Sequence, residues 1–196
     1  MGHRALVAYE RPGDGYTVRY SHWGARGYRL LESVTASTPL GGRNGDGGDE
    51  SDASDESDAS DGNDEPTVRP EPLGVAIDLD DVARSFVDPL LHEGVFVVSD
   101  AFCTRAFEPL AFWGDSSTTV HGGALVELRR DRDPCADARE LRAWRRGATA
   151  MLAVDGVAGM DESPRERHER LVEALRAEPN DRALYPIPPD GSDAEP

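Results

Sequence analysis

The segment best equipped for chemistry is Tyr20-Ser21-His22-Trp23-Gly24. It ends an alternating stretch and enters a glycine loop, where folds often carry functional side chains. A histidine there titrates near neutrality and can act as a base or a ligand. Alternation puts His22 on one face with Tyr16, Val18 and Tyr20, so it also reads as a core histidine held by a backbone carbonyl, with Trp23 as a packing anchor. His3, on the neighbouring strand, and His121, before Gly122-Gly123, are the companions. The catalytic candidates are therefore His22, Tyr20, His3 and His121. No spacing among the five histidines matches a zinc motif such as HExxH. Ser21 points away from His22 in an extended strand, and no GxSxG elbow occurs. Neither metal nor cofactor is expected.

Two cysteines, Cys103 and Cys135, show no CxxC spacing and read as reduced thiols. The glycines between 41 and 48 cannot form a phosphate loop, because the chain has no lysine and the neighbouring aspartates repel phosphate. Residues 129 to 146 hold seven arginines against four acids. Arg139, Arg142 and Arg146 fall on one helical stripe, opposite Leu141, Trp144, Ala148, Met151 and Leu152. That stripe is either a candidate anion or nucleic-acid contact or a solvated helix face.

The elements that must position these residues give an α+β pattern: a mostly antiparallel sheet with two or three helices packed on it. Arg4–Glu10 is apolar on both faces and reads as a central strand. Pro12-Gly13-Asp14-Gly15 is a turn, and Tyr16–Trp23 returns as the second strand. Residues 28 to 34 read either as a short strand or as a helical turn. Gly74–Leu79 reads as a strand and Asp80–Glu93 as a helix kinked by Pro89. Val95–Ser99 is an apolar strand. Phe102–Trp113 is extended with a break near Pro109, and Gly123–Arg130 alternates. Asp133-Pro134 opens one helix, and the capping box Ser163-Pro164-Arg165-Glu166 opens another, with His168, Leu171, Val172 and Leu175 inward.

Residues 39 to 72 interrupt this pattern. Between Asp46 and Glu65 there are ten acids, no base and no large apolar residue. Such a stretch cannot bury enough surface to offset its ordering entropy and is expected to be a disordered acidic insertion. The domain then comprises 1–38 and 73–185, followed by a disordered tail at 186–196.

All 21 basic residues are arginine, and 38 acids give a net charge of −17 over 196 residues. An acidic, lysine-free chain fits a cytoplasm of molar salt, where the Debye length is about 3 Å and self-repulsion costs little. The whole-chain charge disfavours nucleic acid and anionic lipid. Without residues 46–65 the balance is 28 acids to 21 arginines, which keeps the arginine stripe open as a nucleic-acid contact. No apolar run approaches the roughly 18 residues of a membrane span, and residues 1–12 lack a secretory signal.

The opening Met1-Gly2-His3-Arg4-Ala5-Leu6-Val7-Ala8-Tyr9-Glu10-Arg11-Pro12, with Tyr20-Ser21-His22-Trp23-Gly24-Ala25, resembles a family of uncharacterised haloarchaeal proteins. His92-Glu93 and Gly122–Glu127 share that resemblance. It implies a salt-adapted cytoplasmic protein and carries over no catalytic residue. The sequence therefore reads as a non-enzymatic binding or regulatory module with a protein or small-molecule partner. The alternative is a small hydrolase or ligand-binding enzyme around His22. The second alternative is a nucleic-acid-associated protein using Arg139, Arg142 and Arg146. If the salt reading holds, the purified protein loses its circular-dichroism signal below roughly 1 M KCl. Full stability in dilute buffer contradicts it.

Overall fold

The computed structural model describes residues 3–42, 66–112, 122–156, 163–178 and 182–189. Seven strands form one sheet in the order β3-β2-β1-β4-β5-β6-β7. They are β1 (Ala5–Glu10), β2 (Tyr16–Ser21), β3 (Pro72–Ala76), β4 (Gly94–Val98), β5 (Thr104–Ala111), β6 (Gly123–Glu127) and β7 (Leu184–Ile187). Every neighbouring pair is antiparallel except β1 with β4. The helices are α1 (Leu30–Ser33), α2 (Leu79–Ser85), α3 (Pro134–Gly156) and α4 (Pro164–Ala177), with a 3-10 turn at Arg26–Tyr28. The α+β expectation of a mostly antiparallel sheet is met. The centre of the expected insertion, residues 43–65, lies outside the described residues.

β1 and β4 sit at the middle of the sheet, and both are apolar on both faces because both faces are covered. One face carries Val7, Phe96, Leu110 and Val126 and is packed by the 3-10 turn, α1, α3 and α4. The other carries Leu6, Val18, Val97, Phe107 and Leu125. The sheet curls enough for α2 to pack against both edge strands, β3 and β7, and Val82 and Ala83 close that second core. The turn between β1 and β2 runs through Gly13, Asp14 and Gly15, all at positive φ. A Cβ on Gly15 would also lie 2.5 Å from the Ala76 carbonyl oxygen, so only glycine fits there.

Several local expectations change. The helix expected over 80–93 is only Leu79–Ser85, capped by the Asp78 carboxylate on the Asp81 amide. Pro89 does not kink it, because the helix ends at Ser85, with Phe86 as its C-cap, before the proline is reached. The break expected near Pro109 is absent. The ladder to β6 leaves the Phe107, 109 and Ala111 amide positions facing the β4 side, and β4 pairing stops at Phe107. Pro109 therefore removes a donor that no strand would accept. Residues 28 to 34 are helical turns. Met151 is 69% exposed and is not part of the inner stripe of α3. β7 continues to Ile187, two residues beyond the point at which the sequence reading ends the domain, and Ile187 is buried. Val68 is buried as well, and Thr67 bridges Gly41, so ordered chain enters both ends of the 39–72 segment.

The two late helices begin as the sequence indicates. The Asp133 carboxylate accepts the Ala136 amide at 2.7 Å, and Ser163 and Glu166 form a full capping box. α3 is then locked by Asp137, whose side chain is fully buried. It accepts both Arg182 nitrogens at 2.8 Å and the Arg129 amide and Nε at 2.9 Å. Burial pushes the Asp137 carboxyl up, but these donors outweigh it and hold the group below its ordinary value. Asp137→Asn should leave the largely buried Arg182 without its counter-charge and cost about 3–5 kcal/mol in denaturant unfolding. Glu169→Gln, which breaks an exposed pair with Arg165, should cost less than about 1 kcal/mol. Equal losses would contradict the anchoring role.

Candidate functional site

His3 precedes β1, Tyr20 is the penultimate residue of β2 and Glu93 precedes β4, so all three lie at one end of the sheet. The chain leaves β2 through Gly24, where a Cβ would come within 2.5 Å of Leu30 and 2.7 Å of the Ser21 hydroxyl. That close turn brings the rings of His22 and Trp23 beside the strand ends. His22 meets Trp23 edge-on at 4.9 Å between centroids, and the His3 and Trp23 ring centroids are 6.2 Å apart. The Tyr20 hydroxyl is 3.2 Å from His22 Nδ1, and Arg69 lies 5.2 Å over the Tyr20 ring. His3 Nδ1 donates to the Glu93 carboxylate at 2.8 Å. The structure thus brings together His3, Tyr20 and His22 of the catalytic candidates. His121 lies outside the described residues. His22 is exposed, whereas Ser21 beside it is buried and donates to the Thr67 carbonyl at 2.6 Å.

The arginine stripe divides among separate duties. Arg139 Nε donates to the Cys135 carbonyl on its own helix. Arg142 turns towards β5 and clasps Glu108 through Nε at 2.6 Å and Nη2 at 3.1 Å. Its long side chain can swing round the helix to a carboxylate that would otherwise be buried without a cation. Arg145 Nη1 donates to the Ala111 carbonyl at 2.9 Å. The Arg146 guanidinium makes no hydrogen bond or ion pair among the described residues.

Sequence reasoning missed the polar centre beneath this end of the sheet. Glu108 is 2% exposed and also accepts the Tyr28 hydroxyl. Burial pushes the Glu108 carboxyl above the ordinary range, more than the Arg142 and Tyr28 donors pull it down. Burial likewise drives the Tyr28 hydroxyl far up, and Glu108 adds to this, so the phenol stays protonated. Burial works against Arg142, yet Glu108 holds that guanidinium above its usual value. The pair shifts unevenly because Arg142 keeps 41% of its side chain in solvent and Glu108 only 3%. Beside them opens a pocket of about 190 Å³ lined by His92, Glu93, Glu108, Arg142 and Arg145. His92 Nδ1 accepts the Asp88 amide at 3.0 Å, which leaves the proton on Nε2. Burial lowers its pKa despite Asp88, so the ring is neutral at pH 7. The available signal was Glu108 itself, an acid on the same strand face as Ala106 and Leu110.

Among the described residues, no group of three or more His, Cys, Asp or Glu is placed to hold a metal ion. No helix there is long and apolar enough to cross a membrane. Both cysteines are free thiols, Cys103 exposed and Cys135 half-buried. A family model described as "Family of unknown function (DUF6735)" matches residues 1–182. No curated protein and no solved structure matches the chain.

The Glu108 shift has a definite sign. A carboxyl raised by folding contributes stability that is fully present below its unfolded pKa, near 4.5, and lost as pH rises through the folded value. The unfolding free energy of the wild type relative to Glu108→Gln should therefore decline as pH rises from 4.5. A difference that grows over that range would mean that Arg142 outweighs burial.

Proposed function

The chain belongs to the DUF6735 family, and we propose that it is a non-enzymatic binding module that presents the His3, Tyr20, His22 and Trp23 rings to a protein partner. The observation that carries this reading is the exposure of His22 beside the half-buried rings of His3, Tyr20 and Trp23. A hydrolase centred on His22 would need a nucleophile within reach. The adjacent Ser21 hydroxyl is buried and committed to the Thr67 carbonyl.

A ring surface suits an arginine-bearing or planar side chain of a partner, as the seat of Arg69 on Tyr20 already illustrates. The lysine-free acidic composition supports a salt-rich cytoplasm as the setting. There the Debye length is about 3 Å, and stacking and burial outlast Coulombic steering. That consideration favours the rings over the arginine stripe. The stripe is also weakened as a contact by the commitment of Arg142 to Glu108.

The test is affinity purification at native salt with the wild type, His22→Ala and Trp23→Ala, followed by mass spectrometry. His22→Ala should keep the wild-type unfolding stability within about 1 kcal/mol, the range of exposed substitutions. Both variants should lose the proteins the wild type retains. Unchanged retention removes the ring surface as the contact. A large loss of stability in His22→Ala assigns that residue to the core instead.

A further inference from the structure

We propose that the pocket between β5 and α3 binds a small organic carboxylate, held by the free guanidinium edges of Arg142 and Arg145. This site adjoins the ring cluster through Glu93 but does not depend on the ring surface for its argument. Arg142 spends Nε and Nη2 on Glu108, and Arg145 spends Nη1 on the Ala111 carbonyl. Arg142 Nη1 and Arg145 Nη2 are used by no hydrogen bond among the described residues, and both side chains line the pocket. Each arginine is immobilised by its own protein partner, so its ordering cost is met before a ligand arrives. The neutral His92 adds an Nε2 donor in the same lining.

Charge selects among anions. Glu108 already balances Arg142, and Glu93 stands at the pocket wall with His3 as its partner. The lining holds two arginines against these two carboxylates, and Arg145 is the lining guanidinium that meets a carbonyl rather than a carboxylate. A planar monoanion matches this and the guanidinium geometry. A phosphate dianion would face Glu93 and Glu108 with one charge too many. Size selects further: about 190 Å³ falls short of the roughly 300–1,000 Å³ typical of pockets for drug-sized ligands. Leu90, 47% exposed at the lining, and Pro109 offer apolar surface to a short alkyl tail.

The test is a titration of the full ¹⁵N-labelled chain, at constant ionic strength, with acetate, propionate, butyrate and inorganic phosphate, following the Arg142 and Arg145 Nε–H signals. The carboxylates should give saturable shifts that tighten from acetate to butyrate, and phosphate should bind more weakly. Arg145→Gln should weaken butyrate tenfold or more with an unchanged unfolding midpoint. Leu90→Asp, an exposed substitution that adds a repelling charge, should do the same and stands in if Arg145→Gln fails to fold. The proposal is overturned by the absence of saturable shifts, by phosphate binding tighter than butyrate, or by wild-type affinity in a folded variant.

Discussion

The structure depends on how α3, a helix rich in arginine, is held against an apolar sheet. Two buried carboxylates do this from opposite partners. Asp137, on the first turn of α3, receives Arg129 from the end of β6 and Arg182 from the approach to β7. Glu108, inside β5, receives Arg142 from the middle of α3. Neither acid could stay buried alone, because an isolated carboxylate would surrender its charge or unfold its surroundings. A guanidinium fork meets both oxygens of a carboxylate at once, whereas an ammonium meets them as a point charge. A chain whose only strong base is arginine can therefore place acids where a lysine-based chain would lose directionality.

The two acids respond to burial in opposite senses, and the reason lies in their partners. Asp137 collects two guanidinium groups and a backbone amide, enough to overcome the cost of burial. Glu108 has one half-exposed guanidinium and a phenol, and burial wins. Asp137 therefore supports the fold at neutral pH and ceases to do so only in strong acid, below its lowered pKa. Glu108 is less well compensated, and it is the one that borders a pocket. Such an unevenly supported polar centre is characteristic of sites that bind something rather than of pure scaffolding.

How much of this was legible in the sequence depended on range. β1 and β4 announced themselves by being apolar on both faces, and the Asp133 and Ser163 caps by local spacing. The parallel pairing of β1 with β4 has no local signal, since β2, β3 and α2 come between them in the chain. Pro109 misled because its cost depends on which neighbour its missing amide would have faced, and that is a property of the sheet. The ring cluster was half visible: alternation placed Tyr20 with His22 and the hairpin put His3 on the neighbouring strand, but only the fold brings Glu93 to the same strand ends. Arg142 was placed on the outer stripe by helical periodicity, which describes Cα positions and not the reach of a long side chain. Glu108 was discernible as an acid within an apolar face, yet nothing local named Arg142, 34 residues away, as its partner.

The charge pattern now has a different meaning from the one its sums suggest. Residues 129 to 146 carry an excess of arginine, which by itself implies an anion-seeking face. In the fold, Arg129 and Arg132 turn to Asp137 and Glu140, and Arg142 to Glu108. Asp137 and Glu140 belong to the segment and are already in its sum, so the excess of three is reduced by Glu108, which meets Arg142, and by Glu127, which meets Arg130. Salt screens exposed charges over a few ångströms but acts weakly on pairs removed from water. The same arginines therefore hold α3 in place over a range of salt in which a surface stripe would lose its attraction for a polyanion. What survives of the basic character is Arg139 and Arg146 on the exposed face of α3 and the guanidinium edges of Arg142 and Arg145 beside Glu108.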